Sequence, residues 1–190
     1  MIYVFLADGF EEAEALVTVD VLRRAGYDVK TVGVTGESVV GAHNITVKSD
    51  VLLDDIAPTD SLEAVVLPGG MPGTTNLEKS QKVCDFVRFA AEHGIVIGAI
   101  CAAPSILGKM GLLEGKVATC YPGFEEFLVG AQKDDAPCCI SDNIVTADGA
   151  GSVFRFAFAL ADMVGWYVGR NPYGDFSVSM KLEETMQCGR

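Results

Sequence analysis

The chain has 190 residues, of which 26 are Asp or Glu and 14 are Lys or Arg, so its formal net charge is −12. This acidity argues against nucleic acid and anionic membranes as partners, because phosphate groups are bound by clustered basic side chains. With 49% hydrophobic residues and no long polar tract, the chain is expected to form one domain over residues 1–190.

The expected compartment is the cytoplasm. No apolar run reaches the roughly 20 residues that cross a bilayer, and residues 1–6 lack the basic leader of a signal peptide. The six cysteines are therefore expected to be reduced thiols. No C-x-x-C pair occurs and the two histidines stand apart in the chain, so we expect no metal site.

The first third of the chain begins an alternation of strands and helices. Residues 2–6 form a short apolar run that predicts a strand, and the acid-rich turn after it opens a helix that ends before Gly26. Residues 29–34 are the next predicted strand, which completes one βαβ unit. Residues 36–53 alternate weakly between apolar and polar side chains, so we expect short strands or a hairpin at the sheet edge.

The rest of the chain continues this alternation. Predicted strands cover residues 64–67, 95–100, 116–119 and 144–147, and predicted helices cover residues 76–91, 102–110 and 152–168. The last of these helices is apolar on all sides, which predicts that it packs on the sheet. Strands that alternate with helices predict an α/β fold, with a mainly parallel sheet that is covered on both faces.

Cys101 lies between the most apolar predicted strand and the helix that follows it. In an open α/β sheet, ligands bind at the carboxyl ends of the strands, and a strand-to-helix turn there raises one side chain above the sheet. The helix N-terminus beside the sulfur favours the thiolate over the thiol. Two interpretations remain from position alone, a nucleophile or an inert core thiol, because free cysteines are often buried.

Three loops at predicted strand ends are rich in glycine, at residues 8–9, 68–70 and 149–151. Glycine allows close backbone approach, so these loops could present N–H groups to an anion. None has the G-x-G-x-x-G spacing at the first βα turn, so we expect no dinucleotide cofactor. If the loops meet Cys101 at one sheet edge, amides such as those of Gly69 and Gly70 could form an oxyanion hole.

The first predicted helix opens with three glutamates. Glu11 and Glu12 are expected to be surface residues that stabilise the helix dipole. Glu14 has apolar neighbours on both sides and is expected to point inward. Burial would raise the pKa of this carboxyl group and let it share a proton with a sulfur atom.

Four segments together resemble the ThiJ/PfpI superfamily, and within it most closely the Parkinsonism-associated (DJ-one) branch: G-F-E-E-A-E-A, V-D-V-L-R-R-A-G-Y-D-V, V-V-L-P-G-G-M-P-G and I-G-A-I-C-A-A-P. The resemblance covers nearly the whole chain in order. It implies a flavodoxin-like three-layer sandwich that usually forms a homodimer. It also implies a reactive cysteine at Cys101, a partner carboxylic acid at Glu14, and an anion pocket made by the backbone of Gly70 and Ala102.

The resemblance implies two alternative functions, both without a cofactor. The first is a glutathione-independent glyoxalase or deglycase that acts on small reactive carbonyl compounds through Cys101. The second is a redox sensor or stress-response protein in which Cys101 is oxidised to a sulfinate without turnover. The protease-like members carry a histidine directly after the cysteine, but here Ala102 stands there, so peptidase activity is not expected.

Three further residues near these motifs have open roles. The DJ-one branch often has a histidine some twenty residues after the cysteine and before a proline, and Tyr121 stands there instead, which is a poor general base. Cys120 beside it is either a resolving thiol for oxidised Cys101 or a buried bystander. His43 lies either near the pocket or dimer partner, or is a surface or structural histidine.

Overall fold

The computed structural model describes residues 1–168. Its strands are β1 (Ile2–Leu6), β2 (Val29–Gly33), β3 (Ser38–Val40), β4 (Thr46–Lys48), β5 (Val51–Leu52), β6 (Ala64–Leu67), β7 (Val96–Ile100), β8 (Val117–Ala118), β9 (Gln132–Lys133), β10 (Cys138–Ser141) and β11 (Ile144–Ala147). Its α-helices are α1 (Glu12–Arg24), α2 (Gly73–Lys79), α3 (Gln81–Glu92), α4 (Pro104–Lys109) and α5 (Val153–Val168). The last part of the expected domain, including the sixth cysteine, lies outside the described residues.

Seven strands form the central sheet in the order β10-β11-β7-β6-β1-β2-β5. Neighbours run parallel except β10, which pairs antiparallel with β11. From β1 the chain builds one side of the sheet through β2 and β5, and it then returns to β6 and builds the other side. The switch point between β1 and β6 is where the carboxyl ends of an open α/β sheet leave a crevice.

Helices cover both faces of this sheet, which gives three layers. Alternate residues of a strand face opposite sides. In β1, Ile2, Val4 and Leu6 pack in the core cluster that includes α1 and α5. Tyr3 and Phe5 pack in the cluster on the other face, which includes α3 and α4. The predicted α/β, flavodoxin-like sandwich with a mainly parallel sheet is therefore confirmed. Within residues 1–168, no helix combines the length and apolar character needed to cross a bilayer.

Two predicted elements differ from those observed. The helix predicted over residues 76–91 is interrupted at Ser80, whose backbone is extended and whose side chain caps α3 by accepting from the Val83 N–H at 3.4 Å. The strand predicted over residues 116–119 is shorter and pairs with β9 in a small separate sheet. Strand β10 was not predicted, because its sequence, Cys138–Ser141, has no clear alternation.

The segment after β2 contains the predicted short strands. Strands β3 and β4 form an antiparallel hairpin of their own, whereas β5 adds to the edge of the central sheet. The hairpin folds back toward the start of α1, since Gly9 N donates to Val40 O at 2.7 Å and Ala42 N donates to Phe10 O at 2.8 Å. These bonds place the residues at the hairpin tip beside the carboxyl end of β1.

Candidate active site

Cys101 occupies the turn between β7 and α4 in a left-handed conformation, with φ of 64°. This conformation is uncommon for a residue with a side chain, and it is often found at functional sites. Hydrogen bonds on both sides support it: Cys101 N donates to Ala147 O at 2.9 Å, and Cys101 O accepts from Tyr121 N at 2.8 Å. Cys101 is only partly buried. The turn thus presents the thiol at the carboxyl edge of the sheet.

Glu14 reaches this thiol from α1. The side chain is 1% exposed, and its Oε2 accepts from Gly69 N at 2.8 Å. The carboxyl group also forms a hydrogen bond with the thiol of Cys101. The structure therefore brings together the buried acid and the cysteine that the sequence singled out. Gly69 lies between the two side chains and binds Glu14 through its backbone N–H group.

Two backbone N–H groups, from Gly70 and Ala102, donate to the sulfur of Cys101. Gly70 has a φ of 87°, which favours glycine, and a Cβ atom there would collide with the backbone of Glu11 and Gly9. Ala102 is the first residue after the cysteine. Both donors predicted for an anion pocket thus point at one atom. Such paired amides can hold a negative charge that develops on or next to the sulfur.

The electrostatics of the pair are dominated by burial. Burial raises the pKa of Glu14 to about 7, while the Gly69 N–H and the Cys101 thiol oppose this rise. Burial, reinforced by the Glu14 carboxylate, raises the pKa of Cys101 to about 12, while the amides of Gly70 and Ala102 lower it. The thiol therefore keeps its proton beside an ionised Glu14. The amides thus favour the thiolate, as expected, but burial and the Glu14 carboxylate have the larger effect on the pKa of Cys101.

Glu14 and Cys101 titrate as a pair. The first proton to leave is that of Glu14, with a pKa of about 7. The proton that remains is that of the Cys101 thiol. A base with a pKa near neutrality is well matched to proton transfer at physiological pH. The arrangement can therefore deprotonate the thiol at the moment when the sulfur attacks an electrophile.

The other thiols in the described chain have no such partner. The five cysteines among residues 1–168 are all free. Burial raises the pKa of Cys120 to about 11 and that of Cys138 to about 12. Within residues 1–168, neither thiol forms a hydrogen bond with a carboxyl group. Cys101 is thus distinguished by its acid and its amides.

Tyr121 and Cys120 lie beside the turn. The Tyr121 side chain is 50% exposed, and its ring packs over Gly149, so the third glycine loop meets this tyrosine. The amides that reach the sulfur come from the second loop and from the turn itself. Cys120 is buried and lines a cavity of about 200 Å³ together with Lys133 and Asp148. Both of its sequence-based interpretations stay open.

Glu12 has a role that the sequence analysis missed. It is only 5% exposed, so the expectation of a surface residue is wrong. Its Oε1 accepts from the backbone N–H groups of His43 at 2.8 Å and Ile45 at 3.3 Å, and its Oε2 bonds to His43 Nδ1 at 3.0 Å. Glu12 therefore fastens the β3–β4 hairpin to the start of α1. The only sequence signal was the G-A-H-N turn that precedes β4.

His43 is itself exposed at the rim of this region, as expected for a surface histidine. Within residues 1–168, Glu11, Glu12 and His43 form the one group of potential metal ligands whose atoms lie within 4.8 Å of one another. The hydrogen bond between His43 and Glu12 accounts for this approach without an ion.

Comparisons with known proteins show the family of this chain. A model of the DJ-1/PfpI family matches residues 1–163. The chain is 38% identical over 162 residues to protein dj-1beta of Drosophila melanogaster, covering 84% of this chain and 86% of the relative. It is 32% identical over 153 residues to the glutathione-independent glyoxalase DJR-1.2 of Caenorhabditis elegans, covering 80% and 81%.

Among solved structures, a DJ-1 superfamily protein from Salmonella typhimurium superposes with a TM-score of 0.80 and 35% sequence identity. The alignment covers 90% of this chain and 92% of that one. Since the family model and full-length relatives match the segments that build the sheet, the elbow at Cys101 and the first helix, this chain belongs to the DJ-1/PfpI family.

Proposed function

We propose that the protein is a cysteine-dependent enzyme for small reactive carbonyl compounds, of the glutathione-independent glyoxalase or deglycase type. The observation that carries this proposal is the hydrogen bond between the Cys101 thiol and Glu14, whose pKa is raised to about 7 by burial. The glyoxalase relative supports the substrate class. A histidine base is not required, because Glu14 already has a pKa near neutrality.

The first step is addition to an aldehyde such as methylglyoxal. The Cys101 sulfur forms a bond to the aldehyde carbon as Glu14 takes the thiol proton, and the C=O π electrons move to oxygen. The amide N–H groups of Gly70 and Ala102 stabilise this oxyanion. Glu14 then returns the proton to the oxygen, which gives a hemithioacetal and restores the carboxylate.

The second step is an internal oxidation and reduction. Glu14 removes the proton from the carbon bonded to sulfur and passes it to the neighbouring ketone oxygen, which gives an enediol. Glu14 then takes the hydroxyl proton at the sulfur-bearing carbon and delivers it to the neighbouring carbon, which gives a thioester of Cys101, so one carbon is oxidised and the other is reduced. Water then cleaves the thioester, which releases lactate and the free thiol. The overall reaction adds one water and needs no external oxidant or reductant.

The decisive experiment measures lactate formed from methylglyoxal without glutathione. We expect activity in the wild type and in Cys120→Ala, and its loss in Cys101→Ala. Equal inactivity of the wild type and Cys101→Ala would overturn the proposal. If Cys120→Ala were as inactive as Cys101→Ala although folded, the chemistry would need a second thiol.

The alternative is a redox sensor, which the two amides at the sulfur favour because they can also bind the oxygens of a sulfinate. Two peroxide molecules would each transfer one oxygen to the sulfur and leave water. Intact-mass analysis after mild peroxide treatment tests this. One species heavier by about 32 Da, lost in Cys101→Ser and reduced in Glu14→Gln, is expected of a sensor. Oxidation scattered over several cysteines would exclude it.

The family membership also supports the proposal that the chain forms a cytoplasmic homodimer and that residues 1–190 make one domain. Leu16 on α1 and Phe154 on α5 are large apolar side chains that are 37% and 54% exposed. Light scattering coupled to size exclusion tests the dimer, and we expect twice the mass of the 20.1 kDa chain. A monomer at micromolar concentration would contradict it.

A further inference from the structure

A short chain of contacts links the exposed His43 to the buried Glu14. His43 Nδ1 lies 3.0 Å from Glu12 Oε2 and 3.5 Å from Glu11 Oε2. Glu11 N donates to Gly69 O at 2.9 Å, and Gly69 N donates to Glu14 Oε2 at 2.8 Å. Gly69 therefore holds both Glu11 and Glu14 through its own peptide groups.

Glu11 lies close enough to Glu14 for their charges to interact. Glu11 occupies the N-cap position of α1 and precedes Glu14 by three positions, which places both on the same side of the helix. Like charges there disfavour ionisation, and the Glu11 carboxylate adds to the rise in the pKa of Glu14. Glu11 is thus an anion at the site that the proposed mechanism does not use.

His43 supplies the opposite charge. Its pKa lies above the ordinary value because Glu12 accepts a hydrogen bond from the ring and because Glu11 and Glu12 are nearby anions. Among residues 1–168, the titratable groups that act on Glu14 are Cys101 from the elbow and Glu11 from its own helix. His43 contacts both Glu11 and Glu12. The ring of His43, when protonated, is therefore placed to offset the two anions.

We propose that Glu11 and His43 are positioning residues for Glu14: the Glu11 carboxylate disfavours the ionisation of Glu14, and His43, when protonated, offsets the Glu11 carboxylate that it contacts at 3.5 Å. Neither residue needs to touch the substrate. The inference rests on the proposed role of Glu14 as the base for Cys101. It assigns a function to the hairpin that Glu12 fastens, which is to hold His43 beside Glu11.

The experiment measures the rate of Cys101 alkylation by iodoacetamide against pH, with the modified peptide identified by mass spectrometry. In the wild type the rate should rise with a midpoint near pH 7, where the pair loses its first proton. We expect Glu11→Gln to lower this midpoint and His43→Gln to raise it, each by about half a pH unit. His43→Lys, which restores a cation, should bring the midpoint back toward the wild-type value.

Asp20→Asn is the matched control. Asp20 lies on the same helix, is exposed and pairs with Arg24, so the substitution removes one negative charge away from the site. It should leave the midpoint unchanged. A shift in this variant equal to that of Glu11→Gln would overturn the inference, because net charge alone would then explain both.

The outcomes separate the inference from the proposed function. No midpoint near pH 7 in the wild type would overturn both. A wild-type midpoint that is lost in Glu14→Gln but unmoved in Glu11→Gln and His43→Gln would overturn the inference alone. Shifts in the same direction would also overturn it, because charge effects of opposite sign cannot produce them. NMR titration of the Glu14 carboxyl carbon in a Cys101→Ser background checks the same directions without alkylation.

Discussion

Gly69 passes so close to Cys101 that a Cβ atom at Gly69 would lie only 2.6 Å from the Cβ of Cys101. The same atom would lie 2.7 Å from Glu14 Oε2. Real Cβ atoms do not approach other atoms so closely, so any side chain at Gly69 must displace the catalytic pair. The contact between Glu14 and Cys101 therefore depends on Gly69, a residue that has no side chain.

We predict that Gly69→Ala separates Glu14 from Cys101. Overpacking of this kind costs about 1–3 kcal/mol of unfolding free energy, which chemical denaturation measures. Cys101 alkylation at neutral pH should also slow, because Glu14 no longer reaches the thiol. Gly151→Ala is the control, since a Cβ there meets no atom within 4 Å. Equal behaviour of the two variants would contradict the prediction.

We predict that Glu14→Gln slows the alkylation of Cys101 at pH 7 by about tenfold or more, because the base that accepts the thiol proton is lost. The amide of glutamine can still accept from Gly69 N, so the turn should stay in place. Alkylation of Cys84, which has a pKa raised mainly by burial, serves as the internal control and should not change. An unchanged rate at Cys101 would remove Glu14 from the mechanism.

The same substitution should stabilise the protein at high pH. The pKa of Glu14 rises from 4.5 to about 7 on folding, so the folded state binds its proton more tightly than the unfolded state. Stability from this group is complete below pH 4.5 and is lost as the pH rises through 7. Ionised Glu14 therefore costs about 3 kcal/mol above that pH, and neutral glutamine avoids this cost.

The measurement is the difference in unfolding free energy between Glu14→Gln and the wild type. It should grow from pH 5 to pH 8, with the variant more stable at the higher pH. A difference that does not vary with pH would show that Glu14 titrates normally in the folded protein. A gain in stability with a loss of reactivity is the pattern expected for a catalytic group held in an unfavourable environment.

We predict that Glu12→Ala loosens the β3–β4 hairpin, because the backbone N–H groups of His43 and Ile45 lose their acceptor. The loss should be about 1 kcal/mol or more in unfolding free energy, with faster hydrogen exchange at these two amides. Glu37→Ala is the control, since Glu37 pairs on the surface with Lys48. Exchange that is equally slow in both variants would contradict the anchoring role of Glu12.

Much of the candidate site could be predicted from local patterns. An apolar run that ends at Cys101 and is followed by a helix start indicates a strand-to-helix turn, wherever the rest of the chain lies. Apolar neighbours around Glu14 indicate that this carboxyl group is buried. These features can be predicted from the sequence because each depends on residues that are close to one another in the chain.

The sequence by itself determined the α/β alternation, the position of the cysteine and the burial of its acid. Only the tertiary structure decided that Glu12 anchors the hairpin, since its partners are some thirty residues away in the chain. It also decided the direction in which the pKa of Cys101 moves. That direction is the balance of burial, a carboxylate and two amides contributed by separate segments, and a balance of opposing effects cannot be read from any one of those segments alone.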